Sequence, residues 1–346
     1  MAVTISDVGK LAGVSGTTVS LCFQDSSRIS DTTREKVLAA AKELGYVPNQ
    51  LARRLRSGKS RLIATVATEL DTSFMAEIMR GIEVTATEHG YNVLIFNSFR
   101  DAHMEKGIIE TALEMKVEGL IVAACEVENP ILDDLCTSDF PLAYIDSIPK
   151  VPGASYVIND MESICKIGME YLLDLGHRRI LLVNGPDSAK HFSSFAKIEK
   201  FYKETLQRKN IAVDESLILY SGMYIDDGYK AVSTALDKGI DFTAVFAVSD
   251  LVALGVIDGL ERRNLSVPGD ISVLGIDDSN TSSLNRVSLT TIGAYNQEVV
   301  KEDMGTLAAQ ILMRNIKANE ENRSITPERV LMKPRLVERS TCRRIP

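Results

Sequence analysis

The sequence predicts an α/β protein in two parts: a small three-helix head within residues 1–60, then a larger core of two doubly wound parallel sheets. Three observations predict it. The first is a pair of short helices near the N-terminus, each with its own start and stop signals, and a third helix behind them. The second is a strand–helix alternation that begins at Arg61, completes one set of units and begins again after Asp160. The third is charge. Residues 1–60 carry nine Lys/Arg against five Asp/Glu, a net of +4, while the 346-residue chain as a whole is at −8, which leaves −12 for the remainder. A basic head on an acidic body fits a nucleic-acid-binding module joined to a domain with another job.

The head begins with Thr4 and Asp7, spaced as a capping pair: the hydroxyl accepts an orphan backbone N–H while the carboxylate reaches back. Val8, Leu11 and Ala12 then share one helical face. Gly13 supplies the left-handed stop and Ser15 the next N-cap. The second helix turns Val19, Cys22 and Phe23 inward. It leaves Gly16, Thr17, Thr18, Ser20, Leu21 and Gln24 outward, a small and mostly hydrogen-bonding face that suits a DNA major groove. An ordinary helical hairpin is the competing reading of these twenty residues. Ser30 is placed to cap a third helix over Asp31–Leu44, with Val37, Leu38, Ala41 and Leu44 as its stripe and Gly45 as its stop. A short basic segment follows, Asn49-Gln50-Leu51-Ala52-Arg53-Arg54-Leu55-Arg56-Ser57, before Gly58 and the first apolar strand.

Taken together, the opening run, Thr32-Thr33-Arg34-Glu35-Lys36-Val37, Leu44-Gly45-Tyr46-Val47-Pro48-Asn49 and Leu51-Ala52-Arg53-x-Leu55 resemble the lactose-repressor (LacI/GalR) family of bacterial transcription regulators, and the likeness continues to the tail. The resemblance implies a helix-turn-helix domain over 1–48 and a hinge helix and linker over 49–60. It implies a periplasmic-binding-protein-like core beyond them, with an N-subdomain of 61–158 plus about 292–322 and a C-subdomain of 159–291 plus about 323–340. It also implies a homodimer on palindromic operator DNA. In that reading Gly16, Thr17 and Leu21 address bases, with Ile5, Ser6, Ser15, Thr18, Ser20 and Gln24 beside them. Arg28, Ser30, Thr33, Tyr46 and Asn49 fix register on phosphates or sugars. Ala52, Arg53, Leu55 and Arg56 belong to a hinge too short to be helical alone in water, with Leu55 as a minor-groove wedge. A simple packing role for Leu55 and a solvated one for Arg28 are the plain alternatives.

Composition removes several other classes. Five cysteines, an odd number without a CxxC pair, argue against a disulfide framework or a zinc site and for reduced thiols. No basic-then-apolar leader opens the chain and no apolar run reaches the roughly 20 residues needed to span a bilayer, so a cytoplasmic protein without membrane contact is expected. No cofactor or metal motif is found: there is no G-x-G-x-x-G after a strand and no G-x-x-x-x-G-K-[ST]. Gly13-Val14-Ser15-Gly16-Thr17 fails the nucleophile-elbow pattern at its last position. The four histidines are scattered, and His177, between Gly176 and a strand, reads as structural. An enzyme is therefore not expected, and the alternative to a regulator is a small-molecule binding protein or enzyme without a DNA role.

In the body, the apolar runs Leu62–Ala67, Tyr91–Phe96, Gly119–Ala123 and Leu142–Asp146 read as buried parallel strands, with helices over about Phe74–His89 and Met104–Met115. After Asp160 the pattern repeats through strands Ile180–Val183, Leu217–Tyr220, Ala244–Val248 and Ile271–Ile276. Two consecutive sets mean two sheets, each binding ligands beyond the carboxyl ends of its strands. Asp71, Phe74, Asn97 and Asp146 sit at such ends in the first set, and Asn184, Asp250 and Asp277 in the second. Carboxylates and amides there can take the hydroxyls of a sugar-like effector. Helix capping by Asp250 and plain packing by Phe74 are the competing readings. The resemblance favours effector contacts for Phe74, Asp146, Asp250 and Asp277, and adds Ser194 and Lys197. It also exposes a departure: Ile198 stands where the family usually carries a ligand-gripping Arg, and Phe201 where it carries Gly, so that either Lys197 substitutes or the pocket does not bind a typical sugar in the typical way. The core is expected to form the dimer through helices near Phe74–His89 and Asp258–Arg262.

Overall fold

The computed structural model describes residues 3–23, 29–46, 59–125, 129–151, 153–186, 193–295 and 303–346, with residues 193, 194 and 295 in their main chain only. Two compact units result, Met1–Ser60 and Arg61–Pro346.

The first unit holds α1 (Ile5–Ala12), α2 (Gly16–Cys22) and α3 (Asp31–Leu44). The capping box forms as its residues dictate: the Asp7 N–H donates to Thr4 Oγ1 at 3.4 Å and the Thr4 N–H donates to Asp7 Oδ2 at 3.0 Å. The Thr4 hydroxyl, donating to Asp7 Oδ2 at 2.7 Å, and then the Thr4 N–H hold the Asp7 carboxyl below its ordinary range. Gly13 and Gly45 stop their helices at φ +70° and +64°, angles that a Cβ disfavours. Ser15 caps α2 through the Thr18 N–H, at 3.2 Å. Ser30 occupies the N-cap of α3, but its hydroxyl pairs with that of Thr33, at 2.9 Å, and caps no backbone group.

The core of this unit is Val8, Val19, Cys22, Val37, Ala40 and Ala41. Leu11 and Leu38, expected inside, are 48% and 46% exposed. Three short helices share only a narrow seam, and α3 meets it through the i, i+3, i+4 set Val37, Ala40 and Ala41. Leu38 lies a residue, about 100°, further round.

The second unit contains β1 (Leu62–Ala67), α4 (Ser73–Glu88), β2 (Asn92–Asn97), α5 (Ala102–Glu114), β3 (Gly119–Val122), α6 (Pro130–Thr137), β4 (Leu142–Ile145) and β5 (Ser155–Asn159). It continues with α7 (Met161–Asp174), β6 (Ile180–Asn184), α8 (Ser193–Arg208), β7 (Ile218–Tyr220), α9 (Ile225–Asp237), β8 (Ala244–Ala247), α10 (Asp250–Glu261) and β9 (Ser272–Ile276). Last come β10 (Thr290–Tyr295), α11 (Met304–Glu320) and β11 (Arg329–Val337). Strands run in the order β2-β1-β3-β4-β5-β11-β10-β9-β8-β6-β7. Pairing is parallel except where β11 meets β10.

The two expected sheets are thus joined through one strand. Arg329–Met332 extend the first sheet beside β5, and Lys333–Val337 run antiparallel to β10 in the second. Pro334, opposite Ala294, is tolerated because in this half β11 has a partner on one side only. Each sheet is covered on both faces, as parallel sheets require. In the first lobe Ile63, Ile121 and Ile145 point to α4 and α11, while Ala64, Val66 and Val122 point to α5 and α6. The second lobe packs α7 to α10 around Leu181, Val183, Val245 and Phe246. The strand β10 and helices α6 and α11 come from stretches not assigned in the sequence. No helix of the described residues is long and apolar enough to cross a membrane.

His177 confirms a structural place. It is fully buried, Nδ1 lies 2.9 Å from Thr243 Oγ1, and Nε2 lies 3.0 Å from Ser272 Oγ and 3.1 Å from the Arg343 carbonyl. It ties the chain's tail to the second sheet. The five cysteines are free thiols.

Candidate functional site

The head offers one candidate surface. In α2 and its cap, Ser15 and Thr17 are exposed, and Gly16, Thr18, Ser20 and Leu21 are half-buried beside them. Ser6 is exposed and Ile5 half-buried at the start of α1. Ser30 is exposed, and Thr33 and Tyr46 are half-buried, the Tyr46 ring 6.0 Å from that of Phe23. Small side chains on a helix held by two flanking helices form a surface that fits base edges without a bulky obstruction. Gln24, Arg28, Asn49, Ala52, Arg53, Leu55 and Arg56 lie outside the described residues.

The core offers the second: a cavity of about 400 Å³ between its lobes. Its walls come from the carboxyl ends of strands in both sheets, where doubly wound folds place ligands. The first lobe gives Thr68 and Glu69 after β1, Phe74 and Met75 of α4, Arg100 after β2, Cys125 after β3, and Tyr144 and Asp146 at β4. The second gives Pro186 after β6, Phe195 and Ile198 of α8, Val248, Ser249 and Leu251 around the start of α10, and Ile276 and Asp277 at β9.

Asp146 and Asp277 occupy matching places. Each follows the fourth strand of its lobe, each has positive φ (50° and 116°), and each donates its main-chain N–H to the neighbouring strand, Val157 O at 3.1 Å and Ile292 O at 2.9 Å. Such backbone angles are unfavourable for a residue with a Cβ and recur at binding sites. Among the described residues, no donor reaches the Asp146 carboxylate. Burial pushes it up to about 6, against the opposing pull of Arg100 and Lys197. Asp277 is raised well above the usual carboxyl range, first by burial and then by the negative charges of Asp250 and Asp146, although the Asp250 N–H at the start of α10 donates to it.

Arg100 lines the cavity in a left-handed conformation and is ion-paired with Glu69. The aromatic walls are held from behind. Asn184, expected as a strand-end amide, uses its side chain to bind Phe195 O at 3.1 Å and the Gly185 N–H at 3.0 Å, which fixes Phe195 at the cavity. Cys125 has its thiol 3.1 Å from Ser98 Oγ, and burial pushes that thiol up to about 12.

Of the residues expected to meet an effector, Phe74, Asp146 and Asp277 line this cavity. Lys197 stands close enough to influence Asp146 without forming the wall. Ser194 falls in the first turn of α8. Asp71 lies exposed at the mouth, its Oδ1 accepting the Tyr224 hydroxyl of the opposite lobe at 3.0 Å. Asn97 turns its Oδ1 to the Phe99 N–H at 2.9 Å. Asp250 is fully buried outside the wall and accepts from the Ser279 N–H (2.8 Å), Ser279 Oγ (2.9 Å) and Thr291 Oγ1 (2.5 Å). Ser249, and not Asp250, caps α10, through the Val252 N–H at 3.2 Å. Ile198, 1% exposed, forms part of the wall. Glu69, Arg100, Tyr144 and Phe195 are wall residues that the sequence reading did not single out. A cation three residues past a strand, in Asn97-Ser98-Phe99-Arg100, was the signal available for one of them.

Comparison with known proteins finds matches for the head and for the core. Residues 4–49 match the family described as bacterial regulatory proteins, lacI family, and residues 169–342 match the periplasmic binding protein-like domain. The HTH-type transcriptional repressor PurR of Vibrio campbellii is 31% identical, the alignment covering 99% of each chain. A lac repressor dimer bound to operator and the anti-inducer ONPF superposes at TM-score 0.78 with 27% identity, over 99% of each chain. The transcriptional regulator CelR in its cellobiose complex superposes at 0.70 with 28% identity, over 98% of this chain and 99% of that one.

Proposed function

This chain belongs to the LacI family of bacterial regulatory proteins, and from that membership we propose that it is a cytoplasmic repressor, gripping a palindromic operator as a homodimer under the control of a sugar-like effector in the core cleft. It is a DNA-binding transcriptional regulator and not an enzyme. The observation that carries the reading is the capped helix-turn-helix, whose second helix presents small polar side chains on an otherwise closed three-helix unit.

In this reading Gly16, Thr17 and Leu21 enter the major groove. Thr17 addresses a base edge or a thymine methyl, and Leu21 brings no guanine contact. Ile5, Ser6, Ser15, Thr18, Ser20 and Gln24 flank them, and Arg28, Ser30, Thr33, Tyr46 and Asn49 take phosphates and sugars. The hinge, 49–60, orders on DNA: Leu55 from each subunit wedges a central minor-groove step, and Ala52, Arg53 and Arg56 lie along the groove. Head (1–48), hinge and core divide the labour. The core comprises a lobe of 61–158 completed by α11 and Arg329–Met332, and a lobe of 159–291 completed by β10 and Lys333–Val337, and it holds the dimer and the effector. Effector contacts are assigned to Phe74, Asp146 and Asp277, with Lys197 and Ser194 on α8, Asp71 and Asn97 towards the rim, and Asp250 positioning the Asp277 turn. A ligand that prefers one arrangement of the lobes shifts operator affinity by the difference it makes between them.

The test is capture of genomic fragments by the full-length protein at low salt, followed by mobility shift on the enriched site. Expected are an inverted-repeat site, affinity that falls steeply with salt, and loss of the shift in Leu55→Ser. Failure to retain any fragment, with or without metabolites, refutes the proposal.

A further inference from the structure

We propose that the ligand of this cleft carries a protonated amine, as an amino sugar or another compact hydroxylated ammonium compound does, and is not a neutral sugar. The inference rests on the regulator reading, in which the cleft holds the effector. Among the described residues of the wall, three charged groups are carboxylates, Glu69, Asp146 and Asp277, and one is a cation, Arg100. Arg100 is already paired with Glu69, so its charge is largely spoken for. On α8 the wall is the buried, uncharged side chain of Ile198. Lys197, on the next position of α8, lowers the Asp146 carboxyl from outside the wall, yet burial still prevails.

Among the described residues, two carboxylates from opposite lobes therefore face one cavity with no cation in the wall between them. A sugar hydroxyl gives each of them one hydrogen bond and supplies neither with a counter-charge. An ammonium carries three donors on one atom and a full positive charge, so it can serve Asp146 and Asp277 together, and charged hydrogen bonds are the stronger kind. The rest of the cavity suits the remainder of such a molecule. Phe74, Tyr144 and Phe195 line it with aromatic rings, the partners a sugar ring or a cation takes, and Ser147, Ser249 and Asn159 are polar wall residues within the same space. About 400 Å³ is within the usual range of small-molecule sites.

Calorimetry on the full-length protein at pH 6.5, with glucosamine, N-acetylglucosamine and glucose as the probes, separates charge from shape. Glucosamine is expected to bind at least about tenfold more tightly than the two neutral sugars, the fold-change of one charged hydrogen bond. Asp146→Asn and Asp277→Asn are each expected to lose about tenfold for glucosamine and little for the neutral pair. Equal binding of all three, binding of none, or a preference that survives both variants overturns the proposal. Should a neutral sugar bind best and Asp146→Asn abolish it, the amine falls while the cleft remains the effector site. Failure of the regulator reading shows separately, as absence of operator capture by the same preparation.

Discussion

Replacing Asp146 by Asn should stabilise the ligand-free protein at neutral pH and leave it unchanged in acid. Burial holds this carboxyl near 6 where an ordinary one sits at 3.8, so the folded state keeps its proton more tightly than the unfolded chain does. A carboxyl shifted in that direction favours folding fully below pH 3.8 and progressively loses the advantage as pH rises through about 6. About two pH units at about 1.4 kcal/mol each set a ceiling of about 3 kcal/mol. The realised value will be lower, because Asp146 is half-buried and Arg100 and Lys197 partly offset its charge. Asparagine keeps the size and removes the charge. It also withdraws one of the negative neighbours that raise Asp277, so Asp146→Asn and Asp277→Asn together should gain less than the sum of their separate gains. Urea denaturation of both proteins at pH 4.5 and 7.5 measures the effect as a difference of differences, in which the titrating groups that do not interact with Asp146 cancel and its coupling to Asp277 is included. Parallel pH dependence of wild type and variant would refute the reasoning.

The other expectations concern the framework. Gly255→Ala should destabilise the core by about 1–3 kcal/mol or more, read from the urea midpoint, since its Cβ would lie 1.8 Å from Ile225 O and force α9 and α10 apart. Ser15→Ala removes the acceptor of the Thr18 N–H and should cost the head about 1 kcal/mol, seen as earlier helix loss on heating and weaker DNA binding. His177 is held below its ordinary 6.5 by burial, so its contribution is complete above pH 6.5 and drains away as pH falls, opposite in sign to Asp146. His177→Gln should flatten that acid loss, and denaturation between pH 5 and 7 would show it. A variant whose acid loss matches the wild type would rule His177 out as its source.

What could be read from the sequence follows from how local each signal is. The caps of α1 and α2, the glycine stops and the continuous apolar strands are decided by a few adjacent residues, and all form as expected. Strand β10 and helix α11 were missed because they belong to the lobes only through long-range crossings. The split of β11 between two sheets has no local signature at all. The cleft shows the same division. Asp146 and Asp277 announce themselves as acids ending apolar strands. Asp250 carries an identical signal, yet its carboxylate is consumed by Ser279 and Thr291, partners 29 and 41 residues away. Only assembly tells a carboxylate facing a cavity from one that pins a turn.

The pairing of Asp146 with Asp277 also bears on how a ligand could switch the protein. Each acid is fixed to its own lobe by a main-chain bond to the neighbouring strand, so bringing the lobes together brings the charges together. With the cleft empty, closure costs either their repulsion or the uptake of the proton that relieves it. A ligand donating to both reverses the sign of that term. A ligand bound by one lobe alone makes the same contacts in either arrangement and shifts nothing, however tightly it binds. Allosteric coupling is commonly about 1–3 kcal/mol, and a single hydrogen bond to a charged group contributes about 1.5–3 kcal/mol. The second of two bridged carboxylates therefore suffices to set the coupling, while the first, with the aromatic walls, sets the affinity. On this argument Asp146→Asn or Asp277→Asn should uncouple operator binding from effector more completely than either weakens the effector's own binding.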